Sequence, residues 1–110
     1  MYMHQSVASQ IIPIRQEIII PIYAKARDYL YAAAIHHEFG VSVRYANSGE
    51  TPFSPSNEDL VYAGSLIGLN PRDLRLTIQT GVLDPVIEDG RLSPLEKAMK
   101  VAKFYDEVPP

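Results

Sequence analysis

The hydrophobic and polar positions of this chain predict a mainly α-helical domain whose most apolar helix comes early. From Pro21 to Phe39 the apolar side chains recur at helical spacing, and they widen to almost the whole circumference of the predicted helix. Gly40 follows in the C′ position, where glycine commonly ends a helix. A helix this apolar is either central to the fold or one half of a dimer interface.

The segments on either side of this helix are less regular. Residues 1–12 are interpreted as a loose arm or the start of a strand. The isoleucines of Ile14–Ile22 favour a buried segment of either helix or strand, and their β-branched run mildly prefers strand. Val41–Tyr45 alternates with period two and predicts a short strand. Ala46–Pro55 is rich in Gly, Pro, Ser and Asn, which is typical of a surface loop.

Two short helices with strong end signals follow between residues 56 and 83. Ser56, with Asp59 three residues later, has the capping-box spacing of a first helix. Asn70 suits the cap of a second helix, and Pro71 suits its first turn. The Gly-Leu-Asn turn between them is so short that the helices must cross steeply. The sequence therefore predicts a central helix-turn-helix, which proteins use for reading DNA and also for packing alone.

The residue types within this unit match the positions that they would occupy. Gly64 is small enough for close approach of the second helix, and Gly68 permits the turn. Gly81 ends the second helix, and Leu83 packs back. The predicted inward residues are Leu60, Leu66, Ile67, Leu69, Leu74 and Ile78. The predicted outward residues of the second helix are Arg72, Asp73, Arg75, Leu76 and Gln79.

The C-terminal part predicts a loop and a last helix. Asp89 and Gly90 fit a turn between short extended pieces, so a short β element is expected at Val86–Leu92 or at Val41–Tyr45. Ser93 and Glu96 have the spacing of a third helix start. We expect one mainly α domain over residues 1–110. Its first part, 1–55, holds the arm, the long helix and a loop, and 56–110 holds the helix-turn-helix, a wing-like loop and the last helix.

Composition and charge narrow the classes of protein to which the chain can belong. Its 110 residues suit one domain, and the absence of cysteine excludes disulfides and fits a reducing cytoplasm. The N-terminus supports neither a signal peptide nor a membrane span. Net charge is −3, and residues 56–110 carry all of it, with six basic and nine acidic groups. Because nucleic-acid binding depends on a basic surface, this distribution counts against DNA.

Several side chains are candidates for a binding surface. Arg72, Arg75 and Gln79 are of the types that pair with guanine and adenine edges, although a solvated helix face is an equally good interpretation. Lys97, Lys100 and Lys103 lie three residues apart on the last helix. They form a stripe that either meets phosphates or is simply solvated.

The sequence gives little support to catalysis or metal binding. His36, His37 and Glu38 are adjacent, so on a helix their side chains diverge by about 100° each and do not jointly chelate one metal. We expect these histidines to interact with the C-terminal dipole of their helix. No nucleophile–base spacing and no Gly-rich phosphate loop is present. We therefore predict no enzyme activity, no metal and no cofactor.

The run AGSLIGLNPRDLRLTIQTGVLDP, continued by VIEDGRLSPLEKA, resembles the small winged helix-turn-helix of excisionases and MerR-type regulators. The resemblance covers about residues 57–104. It implies that Arg72, Arg75 and Gln79 face the major groove of DNA and that Arg91 lies in the wing. The chain departs from the family pattern where Glu88 and Asp89 replace basic wing residues. It also departs where Thr77 stands at an apolar position and Gly64 replaces the commoner alanine.

Two functional hypotheses follow. The first is a small cytoplasmic DNA-binding regulator that dimerises through the 21–39 helix and inserts Pro71–Thr80 into the major groove. The alternative is a non-enzymatic, phage- or mobile-element-like module that binds a protein through its helices and its acidic, tyrosine-rich surface. DNA binding predicts one patch formed by Arg72, Arg75, Arg91 and some of the lysines. Protein binding predicts that the patch is broken up by Asp73, Asp84, Glu88 and Asp89.

Overall fold

The computed structural model describes residues 17–107, which fold into five helices and one small sheet. This confirms the mainly α fold class. The predicted arm, the first residues of Ile14–Ile22 and the tail 108–110 lie outside the described residues. In chain order the elements are β1 (Glu17–Ile20), α1 (Ala26–Phe39), β2 (Ser42–Tyr45), α2 (Asn57–Leu66), α3 (Pro71–Thr80), α4 (Asp84–Ile87) and α5 (Pro94–Glu107).

The two strands pair in parallel, with α1 as the crossover between them. Glu17 lies opposite Ser42, and Ile20 lies opposite Tyr45. Ile18 and Ile20 are both 1% exposed, while the alternate residues are half-buried, which is the period-two burial of a strand with one face on a core. The structure therefore assigns residues 17–20 to a strand, and it confirms the strand predicted within 41–45.

Helix α1 begins at Ala26, so the start predicted at Pro21 is wrong. Residues 21–24 form a turn instead, closed by a hydrogen bond from the Ala24 N–H to the Pro21 carbonyl at 3.0 Å. The Lys25 N–H then donates to the Asp28 carboxylate at 2.9 Å, which satisfies a free donor at the helix start. The predicted end is confirmed, because Gly40 adopts the left-handed conformation with φ 70°.

Seven consecutive residues of α1, Tyr29–Ile35, are at most 2% exposed. Helices α2, α4 and α5 and strand β2 of the same chain contact α1. The helix is thus central to the fold, which confirms one of the two alternatives for a helix that is apolar on all sides. Its apolar circumference is covered within one chain, so it no longer argues for a dimer interface. The large apolar side chains that remain exposed in the 21–39 range are Ile22, Tyr23 and Phe39.

Helices α2 and α3 have the ends that local chemistry predicts. Ser56 and Asp59 form the reciprocal capping box, with distances of 3.1 and 2.9 Å. Gly68 has φ 81°, a value that favours glycine in the turn between the helices. A Cβ at Gly64 would lie 3.2 Å from the Leu69 carbonyl oxygen, a tight contact, so this glycine favours the close approach of the chain after the turn.

Of the two places at which a short β element is expected, Val41–Tyr45 contains strand β2 and Val86–Leu92 contains no strand. Asp84–Ile87 forms the short helix α4, and neither strand of the described residues lies in this region. Pro85 favours a helix start, and the Glu88 N–H closes the turn onto the Asp84 carbonyl at 2.8 Å. The wing implied by the family resemblance is therefore absent from the described residues. Helix α5 follows from the predicted Ser93–Glu96 box.

One arginine ties the small sheet to the loop that follows it. The Arg44 Nε lies 3.1 Å from both carboxylate oxygens of Glu17 on β1. Its two terminal nitrogens donate to the Glu50 carboxylate at 2.8 and 2.7 Å. These bonds from Arg44, together with the Asn47 N–H, lower the pKa of Glu50 from 4.5 to about 2. Both strands and the 46–50 turn are thus joined through one guanidinium.

The lowered pKa of Glu50 predicts a specific acid dependence of stability. A carboxyl whose pKa falls on folding contributes stability that is complete above its unfolded pKa and is lost as the pH drops through the folded value. The free energy of unfolding of Glu50→Gln should therefore depend less on pH than that of the wild type between pH 4.5 and about 2. Urea titrations followed by circular dichroism measure this slope.

Glu88→Gln is the matched control, because Glu88 is also a glutamate on the surface of the same chain. Its side chain forms no ion pair with the described residues, so the slope should stay close to that of the wild type. Equal slopes for Glu50→Gln and the wild type would mean that the Arg44–Glu50 contact does not persist in solution.

Candidate functional site

The outer face of α3 gathers the side chains predicted to contact a partner. Arg72, Arg75, Leu76 and Gln79 are spaced i, i+3, i+4 and i+7, which places them on one stripe of a helix. All four are exposed, whereas Leu74 is buried at 6% exposure and anchors the helix to the core. We call these four residues the α3 stripe. Their predicted outward orientation is confirmed.

The helix that carries the stripe is fixed at both ends. The Asn70 side-chain oxygen accepts the Asp73 N–H at 2.8 Å, and Pro71 occupies the first turn. Gly81 ends the helix in the left-handed conformation, and Leu83, which is 2% exposed, packs back into the core. The stripe is therefore presented on a preorganised surface, which lowers the conformational cost of binding.

Thr77 shows how a polar residue can occupy the position at which the family resemblance implies an apolar one. Its hydroxyl donates to the Asp73 carbonyl at 2.8 Å, so the polar group is satisfied within the helix. On α5, the buried Tyr105 hydroxyl has no hydrogen-bond partner among the described residues. Burial raises the pKa of the Tyr105 phenol.

The polar side chains of the stripe are free to meet a partner. Within residues 17–107, Arg72, Arg75 and Gln79 donate no side-chain hydrogen bond to another residue, and neither arginine forms an ion pair. Asp73 is exposed next to them, so the surface carries both signs of charge. This arrangement can bind carboxylates or phosphates through guanidinium forks.

Arg91, the fourth predicted contact residue, has its charge already paired. Its Nε and Nη2 each lie 3.0 Å from an oxygen of Asp89, and its backbone N–H donates to the same carboxylate at 3.0 Å. The Arg91 hydrogen bonds lower the pKa of Asp89 to about 2. Asp89, which the resemblance places among the acidic wing residues, thus offsets the arginine next to it. Arg91 would therefore attract a phosphate less strongly than an arginine without an ion-pair partner.

Lys97 lies in the core, so the proposed solvent-facing stripe of three lysines is wrong. Its residue exposure is 6%, and its ammonium donates to the Ile87 carbonyl at 2.6 Å. The Tyr45 hydroxyl lies 3.4 Å from the ammonium, and the Tyr29 ring centroid lies 5.7 Å away. The two tyrosine hydroxyls share a hydrogen bond of 2.7 Å. Burial, followed by the Tyr45 contact, raises the pKa of the Tyr29 phenol.

The spacing of apolar residues in α5 is the signal that could have revealed this burial. Ala98, Val101 and Ala102 are the buried apolar residues of that helix, and Lys97 lies four positions before Val101. Positions i and i+4 share a face, so Lys97 lies on the buried face of α5. Its flexible stem and three donors then let it reach a helix-end carbonyl and a hydroxyl at once. It joins α5 to α4, β2 and α1.

Lys100 and Lys103 face the C-terminal turn of α1 and not α3. Between them and α1 lies a cavity of about 510 Å³, which we call the α1–α5 groove. Its lining residues are His36, His37, Leu92, Glu96, Met99, Lys100, Ala102, Lys103 and Asp106. In the described part of the chain, no group of three or more His, Asp or Glu side chains has the geometry of a metal site.

Comparisons of the chain with family models, with curated proteins and with solved structures give no significant match. Among residues 17–107, no helix is both long enough and apolar enough to cross a membrane. The six basic residues of 56–110 lie in four different environments. Arg72 and Arg75 lie on the α3 stripe, Arg91 is paired, Lys97 is buried, and Lys100 with Lys103 line the groove.

The internal role of Lys97 predicts a stability effect. Lys97→Met keeps the side-chain volume but leaves the Ile87 carbonyl without its ammonium donor. We expect the free energy of unfolding to fall by about 1–3 kcal/mol, the typical penalty for a buried polar group that loses its partner. Lys100→Met, which changes an exposed lysine one turn further along α5, should stay within about 0.5 kcal/mol of the wild type.

Denaturant unfolding of the three proteins, measured side by side, gives this comparison. If Lys97→Met is as stable as Lys100→Met, the ammonium is solvated and the assignment of Lys97 to the core is wrong.

Proposed function

We propose that the chain is a small helical module that binds another protein through the α3 stripe. The observation that carries the proposal is that four exposed side chains lie side by side on α3, a helix that is fixed at both ends. Three of them are polar groups without partners within the described residues. The proposal places the module in the cytoplasm, where a chain without cysteine is not affected by the reducing conditions.

The composition of the stripe supports a protein partner. Leu76, 43% exposed, lies between Arg72, Arg75 and Gln79, so an apolar centre is surrounded by polar groups. Val82, two residues beyond the end of α3, is 48% exposed. Arginine is among the residues enriched at the energetic centres of interfaces. A partner surface with an apolar pocket and nearby carboxylates would complement this arrangement.

The charges around the stripe also favour a protein over a nucleic acid. Of the six basic residues in 56–110, the stripe holds two, while Arg91 is paired and Lys97 is buried. The acidic Asp73, Asp84 and Glu88 are exposed in the same part of the chain. A phosphate backbone would meet this surface with few attractive contacts and several repulsive ones.

Site-directed photo-crosslinking in cells tests the proposal. With p-benzoylphenylalanine in place of Gln79, we expect one discrete protein adduct, because the stripe would lie in the interface. The adduct should be lost when Arg72→Ala and Arg75→Ala are added, since two anchoring guanidinium groups are then missing. Exposed Glu38, in the last turn of α1 and outside the stripe, is the control position for the same probe.

The adduct should persist with Lys25→Ala, which removes an exposed charge outside the stripe. The proposal fails if Gln79 gives no more adduct than Glu38, or if the adduct is insensitive to the loss of both arginines. Unchanged thermal stability of the double variant shows that the loss comes from the surface and not from unfolding.

Duplex DNA is the second candidate partner, and the residue types of the stripe favour it. Arginine and glutamine read guanine and adenine edges, and α3 follows the capped α2 after a short turn, in the order of a helix-turn-helix. A DNA partner would agree with the resemblance to excisionases and MerR-type regulators, which implies that Arg72, Arg75 and Gln79 face the major groove. A dimer joined through the 21–39 range would then use the exposed Ile22, Tyr23 and Phe39.

A fluorescence-polarisation titration with random duplex at low and high salt separates the two candidates. If the partner is a protein, micromolar chain should show no salt-sensitive binding, because two free arginines release few counterions. Binding that weakens steeply with salt, and that Arg72→Ala with Arg75→Ala removes, would replace the protein partner by DNA. Lys25→Ala serves again as the variant with one charge removed elsewhere.

A further inference from the structure

The α1–α5 groove is a second candidate binding site, independent of the α3 stripe. We propose that it binds a small organic anion with an apolar body, such as an aliphatic carboxylate or an aryl phosphate monoester. Its volume of about 510 Å³ lies within the roughly 300–1,000 Å³ of small-molecule sites. Its lining combines apolar side chains with a small number of charged ones, as such sites do.

Two cationic side chains of the groove have no partner among the described residues. Lys100 and Lys103 are exposed and lie one helical turn apart on α5. Neither ammonium forms a hydrogen bond or an ion pair with another residue in 17–107. Ammonium groups at this spacing can both reach one carboxylate or phosphate.

Of the two carboxylates in the groove, Glu96 is engaged in hydrogen bonds and Asp106 only approaches an imidazole. Glu96 accepts the Ser93 N–H at 2.8 Å as part of the helix cap, and this bond lowers its pKa. Asp106 lies 3.6 Å from the Nε2 of His37. Both charges reduce the positive potential, and Glu96 also interacts electrostatically with Lys100, but neither ammonium has a hydrogen-bond or ion-pair partner among the described residues. The groove is therefore better prepared for an anion than for a cation.

Both imidazoles at the α1 end of the groove are held in place. The Nδ1 of His36 lies 2.6 Å from the Val41 carbonyl oxygen. Since a carbonyl only accepts hydrogen bonds, Nδ1 must carry the hydrogen, and the ring orientation is fixed. The contact between His37 and Asp106 links the ends of α1 and α5. This end of the site thus needs little reorganisation when a ligand arrives.

The apolar lining explains why the ligand needs an apolar body. Leu92, Met99 and Ala102 contribute side chains to the groove, and Met99 is 51% exposed. A thioether on a flexible side chain adapts to ligands of different shape. Covering this surface adds a hydrophobic contribution that an inorganic anion cannot make.

Nuclear magnetic resonance titrations of the whole chain with sodium octanoate, phenyl phosphate and 1-octanol test the proposal. We expect saturable shifts of backbone amides confined to residues 36–37 and 92–106 for at least one of the two anions. A response to octanoate alone identifies the carboxylate class, and a response to phenyl phosphate alone identifies the phosphate monoesters. 1-Octanol, with the same chain and no charge, should bind at least about tenfold more weakly than octanoate where octanoate binds.

Lys100→Gln combined with Lys103→Gln should weaken the binding anion by about tenfold or more, because both charge-assisted contacts are lost. Lys25→Gln, which removes an exposed lysine charge outside the groove, should leave the affinity within about twofold. Preserved amide dispersion shows that the variants are folded. Absence of shifts with both anions, shifts elsewhere, equal binding by the groove variant, or equally tight 1-octanol binding would overturn the proposal.

Discussion

The burial of α1 on all sides is the constraint on which the other elements depend. Seven consecutive side chains from Tyr29 to Ile35 leave the helix without a solvated face, so every direction around it must be covered. Strand β2 provides one cover, and α2, α4 and α5 provide the others. The run Ala32–Ala34, fully buried, lets these neighbours approach closely. Tyr29 also needs a hydroxyl partner inside the core, which Tyr45 of β2 supplies. The position of β2 is thus tied to α1 by a polar contact as well as by packing.

This central helix decides where binding surfaces can form. Helix α3 lies outside the elements that cover α1 and has one fully buried side chain, Leu74, so its opposite face is free for a partner. The α1–α5 groove arises where the last turn of α1 leaves the core beside α5. Lys97 contributes indirectly to both the free face of α3 and the α1–α5 groove, because its bond to the Ile87 carbonyl holds α4 against α5. A count of charges would place this lysine on the protein surface. In the structure it instead maintains the packing that orients the two candidate binding surfaces.

The sequence predicts what local chemistry determines and fails where distant contacts decide. Caps such as Asn70 involve neighbours three residues away, so their residue types predict the helix ends that the structure shows. The outward orientation of Arg72, Arg75 and Gln79 follows from helical periodicity alone. The strand at 17–20 needs a partner more than twenty residues later, and periodicity cannot supply that information. The segment 84–87 is too short for a pattern to separate a helical turn from an extended piece. The burial of Lys97 could be predicted only with the knowledge that its neighbours on α5 face the core.

The fold requires that α1 is covered by its own chain and not by a second copy. Amide hydrogen exchange of residues 30–35, measured over a wide range of protein concentration, tests that claim directly. If the chain's own elements cover the helix, these amides exchange only through global unfolding. Their protection then equals the free energy of unfolding from denaturant and does not change on dilution. Protection that falls on dilution would show that a partner copy covers α1, and it would contradict the arrangement described above.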